Sequence, residues 1–331
     1  MTYIIAELSA NHNKDLNLAI KTIESIAKSG ANAIKVQTYK PESLTVNLSR
    51  GHFAPKTEGL WKGYTPWELY AEAAMPYDWT PKLQKIANDL GLEFFSSPFD
   101  IEAVDFLEGL SVPRYKIASF EITDIPLIEY TASKGKPIII STGVATEEDI
   151  QLGIDTCRKQ GNNDITLLKC TSQYPATIEQ ANLLTIPDMK KRFGVNIGLS
   201  DHTKGSLVPT VAVSLGATVV EKHFILDRSL GGPDAAFSME PQEFRDMVVA
   251  IRNVENALGK VTYNLSENDK NRRRSLFVVN DIQEGELLTK DNIRSIRPGL
   301  GMHPKHLNEV LGKRAIKKME KGTPLTDELI N

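Results

Sequence analysis

Three lysines interrupt apolar, β-prone runs: Lys35 in Ile34-Lys35-Val36-Gln37, Lys116 in Tyr115-Lys116-Ile117-Ala118-Ser119, and Lys169 in Leu167-Leu168-Lys169-Cys170. A lysine in such a run must meet an anion or give up its proton, because an unpaired buried charge is costly. The plain alternative is an outward lysine whose stem threads its ammonium group between helices. Ser119, Ser141 and Ser200 end runs of the same kind, and hydroxyls beside ammonium groups make a cradle for phosphate or carboxylate. Lys222 alternates with Glu221 and His223, so it points to the opposite face and stays outside that cradle.

Histidine is scarce, with six in the chain, and His202 and His223 close two consecutive runs. Neighbouring strands lie about 4.8 Å apart, so two such imidazoles can share a divalent cation at roughly 2.1 Å. A single histidine there would read as a hydrogen-bonded structural residue. A pair beside Asp201 and Glu221 favours a metal, since ligating imidazoles are commonly backed by carboxylates. His12 is a weaker candidate, and His52, His303 and His306 fall in loops. Gly231-Gly232-Pro233-Asp234 is either a simple turn or a path that presents Asp234 to a polyol.

These groups need elements to position them. Eight short runs, Tyr3–Glu7, Ala33–Gln37, Glu93–Ser96, Arg114–Ser119, Pro137–Ser141, Ile165–Cys170, Val195–Ser200 and Thr218–Phe224, alternate with helical stripes up to about Gly259. Nearly continuous hydrophobicity marks strands covered on both faces, joined by crossover helices. Leu16, Ala19, Ile20, Ile23 and Ile26 form one helical stripe, ended by Gly30. Thr80-Pro81 opens another as cap and first helical residue, Asp100 caps a third, and Thr146 to Asp149 resembles a capping box.

Eight βα units in about 260 residues predict a closed (β/α)₈ barrel, in which catalytic groups come from the carboxyl ends of strands. An open doubly wound sheet is the runner-up, but Ser9-Ala10-Asn11-His12-Asn13 replaces the glycine-rich turn expected after its first strand. The connection from Thr38 to Pro76, about 40 residues rich in tryptophan and tyrosine, is far too long for an ordinary βα loop and predicts a wall of the substrate site.

A net charge of −3 gives no general reason to bind nucleic acid or an anionic membrane. Any anionic ligand must be held by a local basic cluster. Two cysteines make neither a disulfide framework nor a zinc site. The N-terminus lacks the basic region of a signal peptide, no stretch approaches the roughly 18–20 apolar residues that span a bilayer, and a reducing cytoplasm is the expected compartment.

After Gly259 the texture changes. The expected division is a barrel over 1–260, a charged linker over 261–274 containing Arg272-Arg273-Arg274, and a small β-rich domain over 275–331.

Ala6-Glu7-Leu8-Ser9-Ala10-Asn11-His12-Asn13, Lys35-Val36-Gln37-Thr38-Tyr39, Phe95-Ser96-Ser97-Pro98-Phe99-Asp100, Lys116-Ile117-Ala118-Ser119, Gly198-Leu199-Ser200-Asp201-His202-Thr203 and Glu221-Lys222-His223-Phe224 together resemble the sialic acid synthase family. The resemblance runs the whole length, and the C-terminal part is similar to the antifreeze-like (SAF) domain, a β-clip fold. Two departures matter. Leu8-Ser9-Ala10 stands where sialic acid synthases carry Gly-Val before the asparagine, and Ser172 stands where they carry asparagine. These departures disfavour N-acetylmannosamine as acceptor, and Phe120 to Asp124 and Cys170 to Pro175 further set the chain apart within the family.

The resemblance implies that phosphoenolpyruvate condenses with the open-chain aldehyde of 2,4-diacetamido-2,4,6-trideoxy-L-altrose, releasing phosphate. It implies that His202 and His223 bind Mn²⁺, with Mg²⁺ or Co²⁺ as alternatives. Lys35, Lys116, Ser119, Ser141, Ser172 and Ser200 would hold phosphoenolpyruvate, and Glu7, Gln37, Tyr174 and Asp234 the sugar. Glu7 and Glu121 are both candidates for the base that activates water. Arg297 would reach the barrel mouth from the SAF domain of a partner, implying a domain-swapped homodimer.

Three other readings stay open. One is a family member that makes N-acetylneuraminate or legionaminate. Another is a Schiff-base aldolase with Lys116 or Lys169 as nucleophile. The last is a non-catalytic carbohydrate-binding protein.

Overall fold

The computed structural model describes residues 1–331. Eight strands close in chain order into a parallel barrel: β1 (Tyr3–Glu7), β2 (Ala33–Thr38), β3 (Glu93–Pro98), β4 (Tyr115–Ile117), β5 (Ile138–Ser141), β6 (Ile165–Cys170), β7 (Asn196–Asp201) and β8 (Val219–His223). Closure places Glu7 of β1 opposite Lys35 on one side and His223 on the other. β4 is shorter than the residues predict, because the chain leaves the sheet after Ile117 and Ser119–Glu121 forms a 3₁₀ turn.

After each strand the chain returns along the barrel through a helix: α1 (Leu16–Lys28), α2 (Thr80–Asp89), α3 (Ile101–Gly109), α4 (Ile125–Ala132), α5 (Glu147–Lys159), α6 (Thr185–Phe193), α7 (Leu207–Ser214) and α8 (Pro241–Leu258). The starts are set by side chains that satisfy otherwise orphaned amide groups. Asp15 accepts from the Asn17 amide at 2.8 Å, and Asp100 from the Ala103 amide at 2.6 Å. Thr146 and Asp149 cap each other's amides at 3.2 and 2.8 Å, as the capping-box pattern predicts. Thr80 differs from expectation: it is already helical, because a 3₁₀ turn over Tyr77–Trp79 leads into α2.

Inside the barrel Ile5, Ala33, Phe95, Ile139, Leu168 and Val219 form an apolar plug. Residues of opposite parity on the same strands, including Ile4, Ile34, Phe94, Ile140, Leu167 and Val220, pack outward against the helices in two larger cores. Inward and outward sets therefore alternate with period two. The long connection after β2 holds the short helices Pro41–Leu44 and Pro66–Ala73. No helix is long and apolar enough to cross a membrane.

The chain divides into two compact units, Met1–Gly259 and Lys260–Asn331. In the second, Glu267–Asn271, within the stretch expected as a linker, is a short helix capped by Ser266. β9 (Ser275–Val278) pairs antiparallel with β10 (Ile293–Ile296). Leu276, Val278, Ile282, Leu288, Ile293 and Leu325 lead this unit's own core.

Candidate active site

Two residues beyond the apolar plug, the inward positions of the strands turn polar. Lys35 forms an ion pair with Glu7, its neighbour in register. Its Nζ also lies 3.8 Å from Glu221 Oε1 and 3.4 Å from Ser97 Oγ. Lys116 Nζ reaches the same Glu221 oxygen at 3.8 Å, and Ser200 Oγ donates to it at 3.2 Å. Glu221 therefore stands between two ammonium groups contributed by strands two and four. None of the four charged side chains is more than 6% exposed.

Burial and charge set their protonation in different ways. Burial pushes the Glu7 carboxyl up to about 7, against the pull of Lys35. Burial would raise Glu221 too, but Lys116 and Lys35 outweigh it and hold that carboxyl below its ordinary value. Burial works to lower Lys35, and Glu221 and Glu7 reverse the effect, keeping it firmly charged. Lys116 ends below its ordinary value, from burial first and the Lys35 charge in addition. A phosphate arriving here would meet Lys35 and Lys116 with the Glu221 carboxylate already between them.

Beside the lysines lies a small-residue pocket. Gly143 donates its amide to Ser119 Oγ at 3.2 Å. A Cβ at Gly143 would fall 2.1 Å from Ser172 Oγ and 2.9 Å from Ser119 Oγ, so only glycine lets these hydroxyls close in. Ser141 Oγ and Glu221 Oε2 are buried with no hydrogen-bond partner. Unpaired buried polar atoms are rare in folded chains, so these two leave hydrogen-bonding capacity that the protein itself does not use.

Farther out, the His202 and His223 rings stand 5.2 Å apart between centroids. His202 Nδ1 lies 3.1 Å from the Thr171 carbonyl, and with a proton there it donates to that oxygen and leaves Nε2 free. His223 Nδ1 is buried without a partner, 3.8 Å from Asp234 Oδ2. Burial, then the His202 charge, drives His223 well below its ordinary value, so it is the neutral imidazole a metal requires. No third His, Cys, Asp or Glu completes a protein cluster around the pair. The donor set thus fits a divalent cation that keeps open positions, and does not fit a closed structural zinc site.

The long connection after β2 walls this mouth, as its length and aromatic content predict. A cleft of about 570 Å³ is lined by Gln37, Trp61, Tyr70, Glu121, Tyr174 and Asp234, among others. Trp61 Nε1 donates to the Pro233 carbonyl at 3.0 Å and its ring lies 5.7 Å from Tyr174. Asp234 accepts from the Ala10 amide at 3.3 Å, so the glycine-rich segment does present its carboxylate to the cleft. Gln37 Nε2 donates to Ser9 Oγ at 3.0 Å and Glu7 Oε1 at 3.3 Å. Burial raises Glu121 to about 7, and its Oε2 has no partner.

Three sequence expectations need correction. Lys169 does not join the other two lysines: Leu168 fills the plug, so Lys169 faces outward, where its Nζ donates to Thr171 Oγ1 at 2.9 Å. Asp201 does not back the imidazoles; it faces away from them and pairs with Lys222 at 2.5 Å. His12 lies apart from the pair, edge-on to Trp79 at 5.7 Å, its Nδ1 accepting from the Lys14 amide at 3.1 Å. Arg297 lies exposed in the second unit just past β10.

Cys170 and Gly143 were missed as site residues, and Glu221, expected as a carboxylate behind the imidazoles, was missed as the partner of the two lysines. Cys170 Sγ lies 3.9 Å from His202 Nδ1 and 3.8 Å from Ser172 Oγ. For Glu221 a signal existed, since it precedes His223 by two and shares its face.

A parallel eight-stranded barrel with basic and imidazole groups at its carboxyl mouth, followed by a small β unit, defines a class of barrel synthases. Within that class the chain belongs to the NeuB family, whose model matches residues 22–263, and a SAF domain matches residues 273–331. It is 49% identical over 327 residues to the pseudaminic acid synthase of Helicobacter pylori, covering 98% of this chain and 96% of that one. To the N,N'-diacetyllegionaminic acid synthase of Legionella pneumophila it is 38% identical, covering 99% and 94%. Among solved structures it is similar to the N-acetylneuraminic acid (sialic acid) synthetase of Leptospira borgpetersenii, with a TM-score of 0.73, 32% identity, and coverage of 81% and 89%.

Proposed function

We propose that this enzyme condenses phosphoenolpyruvate with the open-chain aldehyde of 2,4-diacetamido-2,4,6-trideoxy-L-altrose, giving pseudaminic acid and phosphate. One observation carries the reading: Lys35 and Lys116 each approach Glu221 at 3.8 Å, and Glu221 lies two residues before His223 on β8, beside the His202–His223 pair. The choice of acceptor is supported by the 49% identity to a pseudaminic acid synthase, against 38% to a legionaminic acid synthase.

Lys35 and Lys116 neutralise and orient the enol phosphate, with Ser119, Ser141, Ser172 and Ser200 taking the remaining oxygens. Gln37, Tyr174 and Asp234 hold the sugar so that its aldehyde faces the enol carbon. C3 of phosphoenolpyruvate bonds to the aldehyde carbon, water adds at C2, and the C–O bond to phosphate breaks. The water supplies two protons, one ending on the former aldehyde oxygen and one on the departing phosphate. Glu7 and Glu121, both held at about 7, can give and take those protons at neutral pH. A divalent cation on His202 and His223, Mn²⁺ in preference to Mg²⁺ or Co²⁺, would supply Lewis-acid polarisation of the aldehyde oxygen.

A homodimer is part of the proposal, with Arg297 of a partner reaching the mouth. Phe120, Val144, Ile178, Leu184 and Leu230, on the connections after β4, β5, β6 and β8, and Leu207 at the start of α7 are exposed apolar side chains that such a cover would bury.

The test is phosphate release from phosphoenolpyruvate with a panel of amino-sugar aldehydes. We expect release with the 6-deoxy diacetamido sugar and not with N-acetylmannosamine; the reverse preference contradicts the acceptor assignment. The lowered Lys116 keeps one rival in play, a Schiff-base aldolase. Borohydride trapping on Lys116, with activity unaffected by EDTA, would favour that rival.

A further inference from the structure

On the outer face of the barrel, behind the imidazoles, lies a buried ion pair that the chemistry above does not use. Asp201 and Lys222 are the residues immediately before His202 and His223. They are register partners between β7 and β8, and their side chains meet at 2.5 Å with almost no exposure. The Lys222 ammonium also donates to the carbonyls of Thr203 at 2.5 Å and Gly205 at 3.3 Å. Asp201 accepts from the Thr203 amide and from Thr203 Oγ1, each at 3.0 Å. Every arm of the network lands on β7, on β8, or on the turn that carries His202.

We propose that the Asp201–Lys222 pair is a positioning clasp that fixes the His202–His223 spacing for divalent-cation binding. The physical argument rests on alternation. Side chains one residue apart on a strand point to opposite faces, so a tie between Asp201 and Lys222 on the outside sets the separation of the next residues on the inside. A buried ion pair is a poor way to stabilise a barrel, since an apolar pair of similar volume would do as well or better. It gains value where it imposes one geometry, and here that geometry is the gap between two imidazoles that have no third protein ligand to hold them. The backbone of His202 lies past the end of β7, in the turn the network captures, so the ladder alone does not fix it.

This inference rests on the metal reading of the histidine pair, and the experiment separates the two. Mn²⁺ binding to the full chain is followed by electron paramagnetic resonance of the free ion, alongside urea melts of each variant. Replacing both partners, Asp201→Asn with Lys222→Met, avoids leaving a lone buried charge. The expected result is a folded variant whose Mn²⁺ affinity falls at least about tenfold, as outer-shell changes at metal sites do. Thr203→Val removes a single arm and is expected to weaken Mn²⁺ by a smaller factor, which keeps the test open should the double variant not fold. Wild-type affinity in the folded double variant, or in Thr203→Val if that is the one that folds, overturns the clasp. His223→Ala is the control: if it binds Mn²⁺ as tightly as wild type, the metal reading fails and the clasp with it.

Discussion

Two successive layers inside the barrel use the same backbone for opposite purposes. Moving two residues along the strands turns Ile5 into Glu7, Ala33 into Lys35, Phe95 into Ser97, Ile139 into Ser141, Leu168 into Cys170 and Val219 into Glu221. The lower layer is dry and packed. The upper one gathers two ammonium groups, two carboxylates and hydroxyls that are incompletely paired. The difference teaches that one pleat step separates what holds this barrel closed from what it does. Polar groups survive there because they pair with each other.

If the layers divide labour in this way, substitutions above and below the step should separate activity from stability. The largest effect is expected just above it. His223→Ala should cut turnover at least about 1000-fold while the urea midpoint stays near wild type, and EDTA should do the same reversibly with Mn²⁺. Below the step, Leu168→Ala should cost about 2–5 kcal/mol in urea unfolding and leave the KM for phosphoenolpyruvate nearly unchanged. Gly143→Ala tests the edge of the upper layer. Its added methyl meets Ser172 Oγ, so the KM for phosphoenolpyruvate should rise about tenfold, and Ser172→Gly in the same chain should recover part of it.

The smallest effect concerns Glu121. Its folded value of about 7 lies above the ordinary carboxyl value of 4.5, so the folded chain holds an extra proton between those limits. Stability is therefore unpenalised below about pH 4.5 and declines as pH rises through 7. Glu121→Gln should flatten that decline: the rise from 4.5 to about 7 is worth about 3 kcal/mol in a fully buried group, and the partial exposure of Glu121 reduces the expected gain to about 1–2 kcal/mol at pH 8, with almost nothing at pH 4.5 by urea titration. A parallel decline in both proteins would contradict the assigned burial effect.

Much of this was legible in the chain before any coordinates. Runs such as Ile165–Cys170 are apolar on both faces and bounded by polar segments, so their identity as buried parallel strands needs only local reasoning. The aromatic insertion after β2 announced itself by length. What local reasoning could not supply was parity. Lys35, Lys116 and Lys169 look alike in one dimension, and only the packing of Leu168 in the plug decides that Lys169 faces out. The same ambiguity set Asp201 beside the imidazoles, when alternation carries it to the far side with Lys222. The pairing of Glu221 was hidden for another reason. Its carboxylate meets Lys35 and Lys116 across the barrel interior, and that meeting exists only after β8 closes on β1.

The central claim is that the polar layer is built to hold an enol phosphate, and titration calorimetry of phosphoenolpyruvate against wild type and Lys116→Met tests it most directly. Lys35 remains to pair Glu221 in that variant, so the barrel should stay folded. The account predicts binding weakened about 10- to 100-fold, the worth of one or two charge-assisted hydrogen bonds. Binding at wild-type strength by a folded Lys116→Met chain would contradict it.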